Sequence, residues 1–215
     1  MRLLAIDTSA NLCAACVYEA GGERGRAVLD LGKGHAEHLM SVIDTALKEA
    51  GTAYGDLDAI AVSVGPGSFT GVRVGVAAAR GLALALALKV PAVGITTLEA
   101  IAEECCIAAP DRPIIARMDA GRGQAYVAGF AADGTPTLDP AAISVDEAEA
   151  LLREAGADTL LAEGKTADIG TYARIAMKRL ADDAQTASLP PRPLYLRDAD
   201  AKPQGAFALP RKDVP

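Results

Sequence analysis

The chain has 215 residues, 51% hydrophobic and 23% charged, a globular composition sufficient for one large domain or two small lobes. Its 28 Asp and Glu residues outnumber 21 Lys and Arg residues, giving a formal net charge of −7. Phosphate backbones repel such a chain at long range, so we do not expect it to bind DNA or tRNA alone. Arg80 interrupts the most apolar stretch, which is too short to span a membrane. Asp7 stands where a signal peptide would be apolar, so we expect a cytoplasmic protein.

The first half of the sequence predicts a three-stranded antiparallel meander followed by alternating helices and buried strands. Turn residues separate the three strands, and the next segments change from a period of two to helical spacing. The predicted strands are Leu3–Asp7, Cys13–Glu19, Arg26–Leu31, Leu57–Val64 and Ala92–Ile95, and the predicted helices are Ala36–Ala50, Val72–Leu88 and Leu98–Ala108.

After Pro113 the same pattern restarts with fewer helices. The predicted strands are Ile114–Met118, Gln124–Ala131 and Thr159–Ala162, and the predicted helices are Asp146–Glu154 and Ile169–Leu180. Two halves that each begin with a hairpin indicate a duplicated α/β unit that divides near residue 110, with a reduced second half.

The cysteines and histidines do not form a convincing metal or redox site. Cys13 and Cys16 lie in a strand whose alternation points them to opposite faces, and Cys105 and Cys106 diverge on a helix. We expect all four to be small buried hydrophobic residues. His35 and His38 share one helix face, but no third ligand lies near them in the sequence, so an exposed first-turn pair is favoured.

The segment with the most chemical information is a buried strand that enters the glycine-rich loop Gly65–Gly71 and then a helix. Free N–H groups at that helix start could bind an anion, but the loop matches neither the P-loop nor the dinucleotide-binding pattern. The structural alternative is a tight turn with close approach of helix to sheet, capped by Ser68 or Thr70. Asp7, followed by two hydroxyl residues at a strand end, could position a metal-bound phosphate, or could simply form a turn.

The helix Val72–Leu88 is apolar on nearly every side, so it needs a cover besides the sheet. Either the helix Ala36–Ala50 covers it, or another chain does. In the alternative, the apolar surfaces of both helices are covered entirely within the monomer. The residues predicted at a partner interface are Leu39, Met40, Ile43, Leu47, Val72, Gly75, Val76 and Ala79.

Three segments resemble one known family. They are Leu4-Ala5-Ile6-Asp7-Thr8-Ser9, the eleven residues from Gly65 to Gly75, and Pro193-Leu194-Tyr195-Leu196-Arg197. These residues resemble the TsaB (YeaZ) family, the bacterial accessory subunit for making threonylcarbamoyladenosine in tRNA, which was historically grouped with glycoproteases. The resemblance covers residues 1 to about 130 and again 190–200.

The resemblance implies an actin-like fold of the sugar kinase, Hsp70 and actin superfamily, with an N-terminal lobe 1–110 and a reduced C-terminal lobe and tail 111–215. It implies a non-catalytic subunit with no catalytic, cofactor or metal residues of its own, because ATP and metal belong to its partners. Those partners are a catalytic TsaD-like paralogue and a TsaE-like ATPase subunit. Where that paralogue has a His-Leu-Glu-x-His metal motif, this chain has Thr97-Leu98-Glu99-Ala100-Ile101.

Under this interpretation the two apolar helices form a four-helix bundle with the paralogue, or a homodimer when the paralogue is absent. Contact with tRNA is expected only through the complex, with a local patch such as Lys202, Arg211 and Lys212. The alternative is a nucleotide-dependent phosphotransferase or ATPase of the same fold that uses Asp7 and the Gly65–Gly71 loop. A metallopeptidase is a third interpretation, but the sequence has no HExxH motif.

Overall fold

Two β-sheets, one from each half of the sequence, form the framework of the protein. The computed structural model describes residues 1–86, 90–182 and 189–197. Among these residues no helix is both long enough and apolar enough to cross a membrane.

The first sheet has the strand order β3-β2-β1-β4-β5. β1 pairs antiparallel with β2, and β2 with β3, so the predicted meander is confirmed, while β1, β4 and β5 run parallel. Every residue of β1 and β4 is buried, which explains why both are continuous apolar runs rather than alternating ones. The strands are β1 (Leu3–Asp7), β2 (Leu12–Glu19), β3 (Gly22–Asp30), β4 (Ala59–Ser63) and β5 (Ala92–Ile95).

The second sheet repeats this topology without a counterpart of β5. Its order is β8-β7-β6-β9, with an antiparallel meander β6-β7-β8 and a parallel pair β6-β9. Strand β8, which contains Pro136 and Pro140, is not predicted from the sequence. Proline is tolerated there because β8 is an edge strand. The strands are β6 (Ile114–Gly121), β7 (Gln124–Phe130), β8 (Pro136–Ser144) and β9 (Leu160–Glu163).

Helices cover both sheets and fill the space between them. Helices α1 and α2 pack on the outer face of the first sheet, and α4 packs on the outer face of the second. Helices α3 and α5 lie between the two sheets in one continuous core. The helices are α1 (His35–Glu49), α2 (Phe69–Ala85), α3 (Thr97–Ala108), α4 (Val145–Ala155) and α5 (Ile169–Asp182).

The inner helices cross from one half to the other. Helix α3 follows the first sheet in sequence but packs on β6, β7 and β9, whereas α5 follows the second sheet and packs on β1, β2, β4 and β5. The duplicated topology with its shortened second half is the actin-like arrangement that was expected. The division into domains at residue 110 stays a prediction.

The boundaries of α2 differ from the predicted helix Val72–Leu88. The helix begins at Phe69 because the Ser68 side chain caps it. It ends at Ala85, and the last two predicted helical residues lie outside the described residues.

Candidate functional site

The three segments that carry the resemblance meet in space. Asp7-Thr8-Ser9 ends β1, and the glycine-rich loop between β4 and α2 lies directly against it, because the Ser68 amide donates a hydrogen bond of 2.6 Å to the Ser9 carbonyl. The C-terminal segment docks on the other side, where the Leu194 amide donates to the Val64 carbonyl at 2.8 Å. Residues separated by more than a hundred positions therefore form one structural unit.

Glycine is required where α2 crosses the end of β1. A Cβ atom on Gly71 would overlap the Thr8 carbonyl oxygen, and one on Gly75 would lie 2.5 Å from the Thr8 hydroxyl oxygen. The Thr8 hydroxyl donates a hydrogen bond of 2.7 Å to the Gly71 carbonyl. The structural explanation of these glycines, close approach of helix to sheet, thus accounts for their spacing.

The start of α2 carries an exposed cluster of two rings and one cation. The Arg73 guanidinium carbon lies 3.6 Å from the centre of the Phe69 ring and 5.3 Å from that of Tyr195. The Arg73 Nε–H also donates a hydrogen bond of 2.7 Å to the Tyr195 hydroxyl. Phe69 and Tyr195 are each about half exposed. Aromatic and arginine side chains held in this way are typical anchors of protein interfaces.

Asp7 is fully engaged inside the protein. It is 1% exposed. One carboxylate oxygen accepts hydrogen bonds from the Ser9 amide, at 2.8 Å, and from the Ser63 hydroxyl, and the other accepts from the Thr166 hydroxyl at 2.6 Å. Thr166 lies in the loop between β9 and α5, so the carboxylate joins the first sheet to the second half of the chain.

Tyr172 of α5 extends this buried polar cluster. Its hydroxyl lies 2.9 Å from that of Thr166, and the Ser9 and Thr97 hydroxyls are buried close to it. Burial, with the negative charge of Asp7 as a lesser cause, raises the pKa of Tyr172 above its usual value. The phenol is therefore neutral at physiological pH and serves as a hydrogen-bonding group.

A cleft of about 410 Å³ opens beside this cluster. Its lining comes from the β1–β2 turn, the glycine-rich loop and the second half, and includes Ser9, Asn11, Ser68, Asp119, Tyr126 and Lys165. Asp7 does not line the cleft. Three of the four acceptor positions of the Asp7 carboxylate are already used within the protein, which leaves one for any further ligand.

The residues predicted for a partner interface lie mostly inside the chain's own core. Leu39, Ile43, Leu47, Val72, Gly75, Val76 and Ala79 are all buried, whereas Met40 is 47% exposed. The buried seven pack between α1, α2 and the first sheet, so their side chains offer little surface to a partner, and their assignment to an interface stays a prediction. An interface formed by these two helices stays a prediction, and it would use their outer faces.

The remaining cysteine and histidine predictions have mixed outcomes. Cys13 and Cys16 point to opposite faces of the first sheet, into separate clusters, as predicted. Burial raises the pKa of Cys13 to about 11 and that of Cys16 to about 12, so both thiols are unreactive. Cys105 and Cys106 are half-buried rather than buried. The predicted exposed pair of histidines is wrong for His35, which is buried, and right for His38.

Thr166 and Tyr172 are members of the cluster around Asp7 that the sequence does not predict. Thr166 lies 159 positions from Asp7 in the chain. No local spacing connects such residues, so a sequence signal for this contact does not exist within one chain.

Comparison with known families gives this geometry a context. The family model TsaD, described as tRNA N6-adenosine threonylcarbamoyltransferase, matches residues 30–173, about two thirds of the chain. The chain belongs to this family. The matched region runs from the end of β3 into α5 and so contains both the glycine-rich loop and the loop with Thr166.

Individual relatives confirm the resemblance to TsaB. The Escherichia coli (strain K12) tRNA threonylcarbamoyladenosine biosynthesis protein TsaB is 34% identical over 133 residues, which are 62% of this chain and 56% of that protein. The chain thus spans about half the length of the curated TsaB relatives that it matches. An uncharacterised Mycobacterium tuberculosis protein is 34% identical over 214 residues and 94% of each chain.

The fold also occurs in a solved structure. A Pseudomonas aeruginosa protein described as similar to peptidase YEAZ superposes with a TM-score of 0.74 at 24% identity, covering 91% of this chain and 99% of that one. This likeness confirms the predicted fold class.

Proposed function

We propose that this chain is an accessory subunit in the synthesis of threonylcarbamoyladenosine in tRNA and has no catalytic activity of its own. The named relatives are biosynthesis proteins for this modified nucleoside, and the family description names the transfer reaction. The observation that carries the non-catalytic part of the proposal is the burial and hydrogen bonding of the Asp7 side chain. Its carboxylate is buried and already holds three hydrogen bonds that join the two halves of the chain.

The start of α3 supports the same proposal. Thr97 and Ile101 stand at the positions that the resemblance equates with two metal-binding histidines, and both side chains are buried. Glu99, between them, forms an ion pair with Arg179 at 2.5 Å. A threonine and an isoleucine offer no imidazole to a metal ion, so we propose that metal and ATP are bound by partner subunits.

The partners in this proposal are the TsaD-like catalytic paralogue and a TsaE-like ATPase subunit. The outer faces of α1 and α2 and the cluster of Phe69, Arg73 and Tyr195 form the proposed surface for the paralogue. The predicted basic patch Lys202, Arg211 and Lys212 lies outside the described residues, and tRNA contact only within the complex stays a prediction, as does the cytoplasmic location.

Among residues 1–86, 90–182 and 189–197, the arrangement around Asp7 does not favour the alternative of a nucleotide-dependent phosphotransferase or ATPase. The glycine-rich loop borders the cleft, but Asp7, the residue on which that chemistry would depend, does not. The metallopeptidase interpretation gains no support either, because the described residues contain no cluster of three or more potential metal ligands.

Reconstitution tests the proposal. The purified catalytic paralogue and ATPase subunit are incubated with tRNA, threonylcarbamoyl-adenylate as the activated donor and ATP, with and without this chain, and modified nucleoside is measured after digestion of the tRNA. We expect product only when this chain and both partners are present. A Phe69→Asp variant should lose the activity together with co-purification of the paralogue, whereas a Val145→Asp variant on exposed α4 should retain both. Product formed by this chain and tRNA without the paralogue would contradict the proposal.

A further inference from the structure

The C-terminal segment of residues 190–197, which we call the strap, joins the two halves of the protein. The Leu194 amide donates a hydrogen bond of 2.8 Å to the Val64 carbonyl, just after β4 of the first sheet. Further along the strap, the Arg197 guanidinium donates a hydrogen bond of 2.6 Å to the Ala120 carbonyl of β6 in the second sheet. The strap therefore bridges the two sheets on the outside of the core.

The strap reaches the second sheet at an irregularity in the hairpin that joins β6 and β7. The register of the two strands shifts between Asp119 and Gly121, so Ala120 lies at a bulge. All three residues of the turn, Gly121-Arg122-Gly123, have positive φ angles. A residue at a bulge is left out of the regular ladder pairing, so contacts from outside the sheet contribute more to its position. The hydrogen bond from Arg197 is such a contact.

The same hairpin forms one wall of the cleft of about 410 Å³. Asp119 of β6 and Tyr126 of β7 line the cleft, and residues of the first half, among them Ser9 and Ser68, form the opposite wall. The Asp119 carboxylate also accepts a hydrogen bond of 2.7 Å from the Gly121 amide, which ties its orientation to the turn. A displacement of the hairpin would therefore change the width of the cleft.

The remaining part of the second-half wall is held independently of the strap. Lys165 lines the cleft, and the hydroxyl of the adjacent Thr166 donates a hydrogen bond of 2.6 Å to the buried Asp7 carboxylate. This loop is thus fixed from inside the protein. The hairpin is the part of the wall that the strap contacts.

The strap also forms part of the exposed cluster at the start of α2. The Tyr195 hydroxyl accepts a hydrogen bond of 2.7 Å from Arg73, and the centre of its ring lies 5.6 Å from that of Phe69. Tyr195 is two residues from Arg197, a span of about 7 Å in an extended chain. A change in the exposed cluster is therefore transmitted over a short length of backbone to the contact with the hairpin.

The strap is held by few contacts. It has no helix or strand, and between the described residues a single backbone hydrogen bond, that of Leu194, joins it to the rest of the chain. Pro191 is its one buried residue. Segments with few buried contacts and few backbone hydrogen bonds open locally at a small free-energy cost, well before the whole protein unfolds.

We infer that the strap is a conformational link that couples the exposed cluster on α2 to the width of the cleft. When the strap is docked, Arg197 holds the hairpin and the cleft is narrow; when the strap is released, the hairpin moves and the cleft opens. A protein that binds the assembled Phe69 and Tyr195 rings stabilises the docked state. Because such coupling is reciprocal, a ligand that requires the open cleft would release the strap and dismantle that surface. The inference does not depend on the proposed role in tRNA modification.

Hydrogen exchange on the full chain tests the coupling by disturbing one end and measuring the other. Tyr195→Ala removes the contacts with α2, and exchange of the hairpin amides at residues 119–124 is followed by mass spectrometry. We expect exchange at least about fivefold faster than in wild type. Leu189→Ala, at a position that is 76% exposed and precedes the strap, is the control and should leave the hairpin unchanged.

A double substitution tests whether the coupling passes through Arg197. Arg197→Ala alone should accelerate exchange of the hairpin as much as Tyr195→Ala does. In the Arg197→Ala background, Tyr195→Ala should add less than about twofold, because the link is already broken. Arg192→Ala, an exposed arginine of the same strap, is the matched control.

A fluorescent reporter measures the cleft itself. The chain contains no tryptophan, so Tyr126→Trp places a single indole in the cleft wall. Quenching of this indole by acrylamide should increase at least about 1.5-fold when Arg197→Ala is added and should stay unchanged when Arg192→Ala is added, because only release of the hairpin exposes the wall.

Thermal melts establish that each variant is folded, and Tyr195→Phe, which keeps the ring and loses the hydroxyl, replaces Tyr195→Ala if the latter is not. Hairpin exchange within about twofold of wild type in folded Tyr195 and Arg197 variants overturns the inference. Equal acceleration by the Leu189 or Arg192 controls does the same, as does an effect of Tyr195→Ala that persists undiminished without Arg197. Unchanged quenching in the Arg197→Ala variant would overturn the link to the cleft.

Discussion

At the scale of single residues, the glycines of α2 have different roles that only their neighbours reveal. Gly75 faces the Thr8 hydroxyl oxygen, 2.5 Å from the position of an added Cβ, whereas Gly81 on the same helix has nothing within 4 Å. The apolar pattern of the sequence predicts Gly75 at a partner interface. The structure places it against the chain's own first strand, so its replacement should act on folding rather than on association.

Gly75→Ala should lower the free energy of unfolding by about 1–3 kcal/mol, the usual cost of overpacking. Gly81→Ala is the matched control and should raise it by about 0.5–1 kcal/mol, because alanine favours the helix and meets open space. Urea denaturation followed by circular dichroism measures both. Equal effects of the two substitutions would contradict the close contact at Thr8.

The hydroxyl of Thr166 is a second residue whose role depends on distant partners. It donates to Asp7 and also contacts the Tyr172 hydroxyl. Thr166→Val keeps the shape and leaves buried polar groups without a partner, so we expect a loss of about 1–3 kcal/mol in unfolding free energy. Thr45→Val, on the exposed face of α1, should change stability by less than about 0.5 kcal/mol. A neutral Thr166→Val would show that the Asp7 cluster does not hold the two halves together.

At the scale of elements, the start of α2 is set by one cap. The Ser68 hydroxyl accepts a hydrogen bond of 3.2 Å from the Gly71 amide, and Thr70, the other predicted cap, is an exposed residue inside the helix. The choice between the two hydroxyl residues depends on which one lies outside the first turn. The contact of the Ser68 amide with the Ser9 carbonyl decides it, because it fixes where the loop leaves the sheet.

Ser68→Ala should therefore cost about 0.5–2 kcal/mol of stability, while Thr70→Ala should be close to neutral. Hydrogen exchange of the amides in the first turn of α2 provides a local measurement, and faster exchange is expected only in Ser68→Ala. The reverse order of the two variants would place the helix start at Thr70.

At the scale of the whole molecule, the exchange of inner helices makes each half depend on the other. The inner face of the first sheet, which includes Leu3, Ala5 and Ala61, is covered by α5 residues such as Tyr172 and Ile175. A chain cut near residue 110 would expose that face to water, because α5 lies in the other part. The hydrophobic stabilisation lost on that inner face would far exceed the stabilisation that α1 and α2 provide on the outer face.

The fragment 1–110 should accordingly lack a cooperative unfolding transition, and co-expression with the fragment 111–215 should restore it. Urea titration with near-ultraviolet circular dichroism and proton NMR dispersion measures both cases, with the intact chain as the reference. A cooperatively folded fragment 1–110 would instead support the predicted boundary between two independent domains.

The sequence by itself determined the elements with strong periodicity and the family. The buried runs of β1 and β4, the helical spacing of α1 and the ungapped segment Gly65–Gly75 are local patterns, and local patterns are legible along one chain. The edge strand β8 is not predictable from the sequence because its prolines oppose the strand pattern. Only pairing with β7 makes this segment a strand.

Only the tertiary structure decided which apolar side chains are core and which functional residues are available. Periodicity shows that a helix is apolar on several sides, but it cannot show which side the sheet occupies, so Leu39, Val72 and Gly75 were assigned to a partner when the first sheet already covers them. The same holds for Asp7, whose hydroxyl and amide partners come from three separate segments of the chain. Burial and saturation of a polar group are properties of what packs around it, and those neighbours are brought together by long-range contacts that no local pattern encodes.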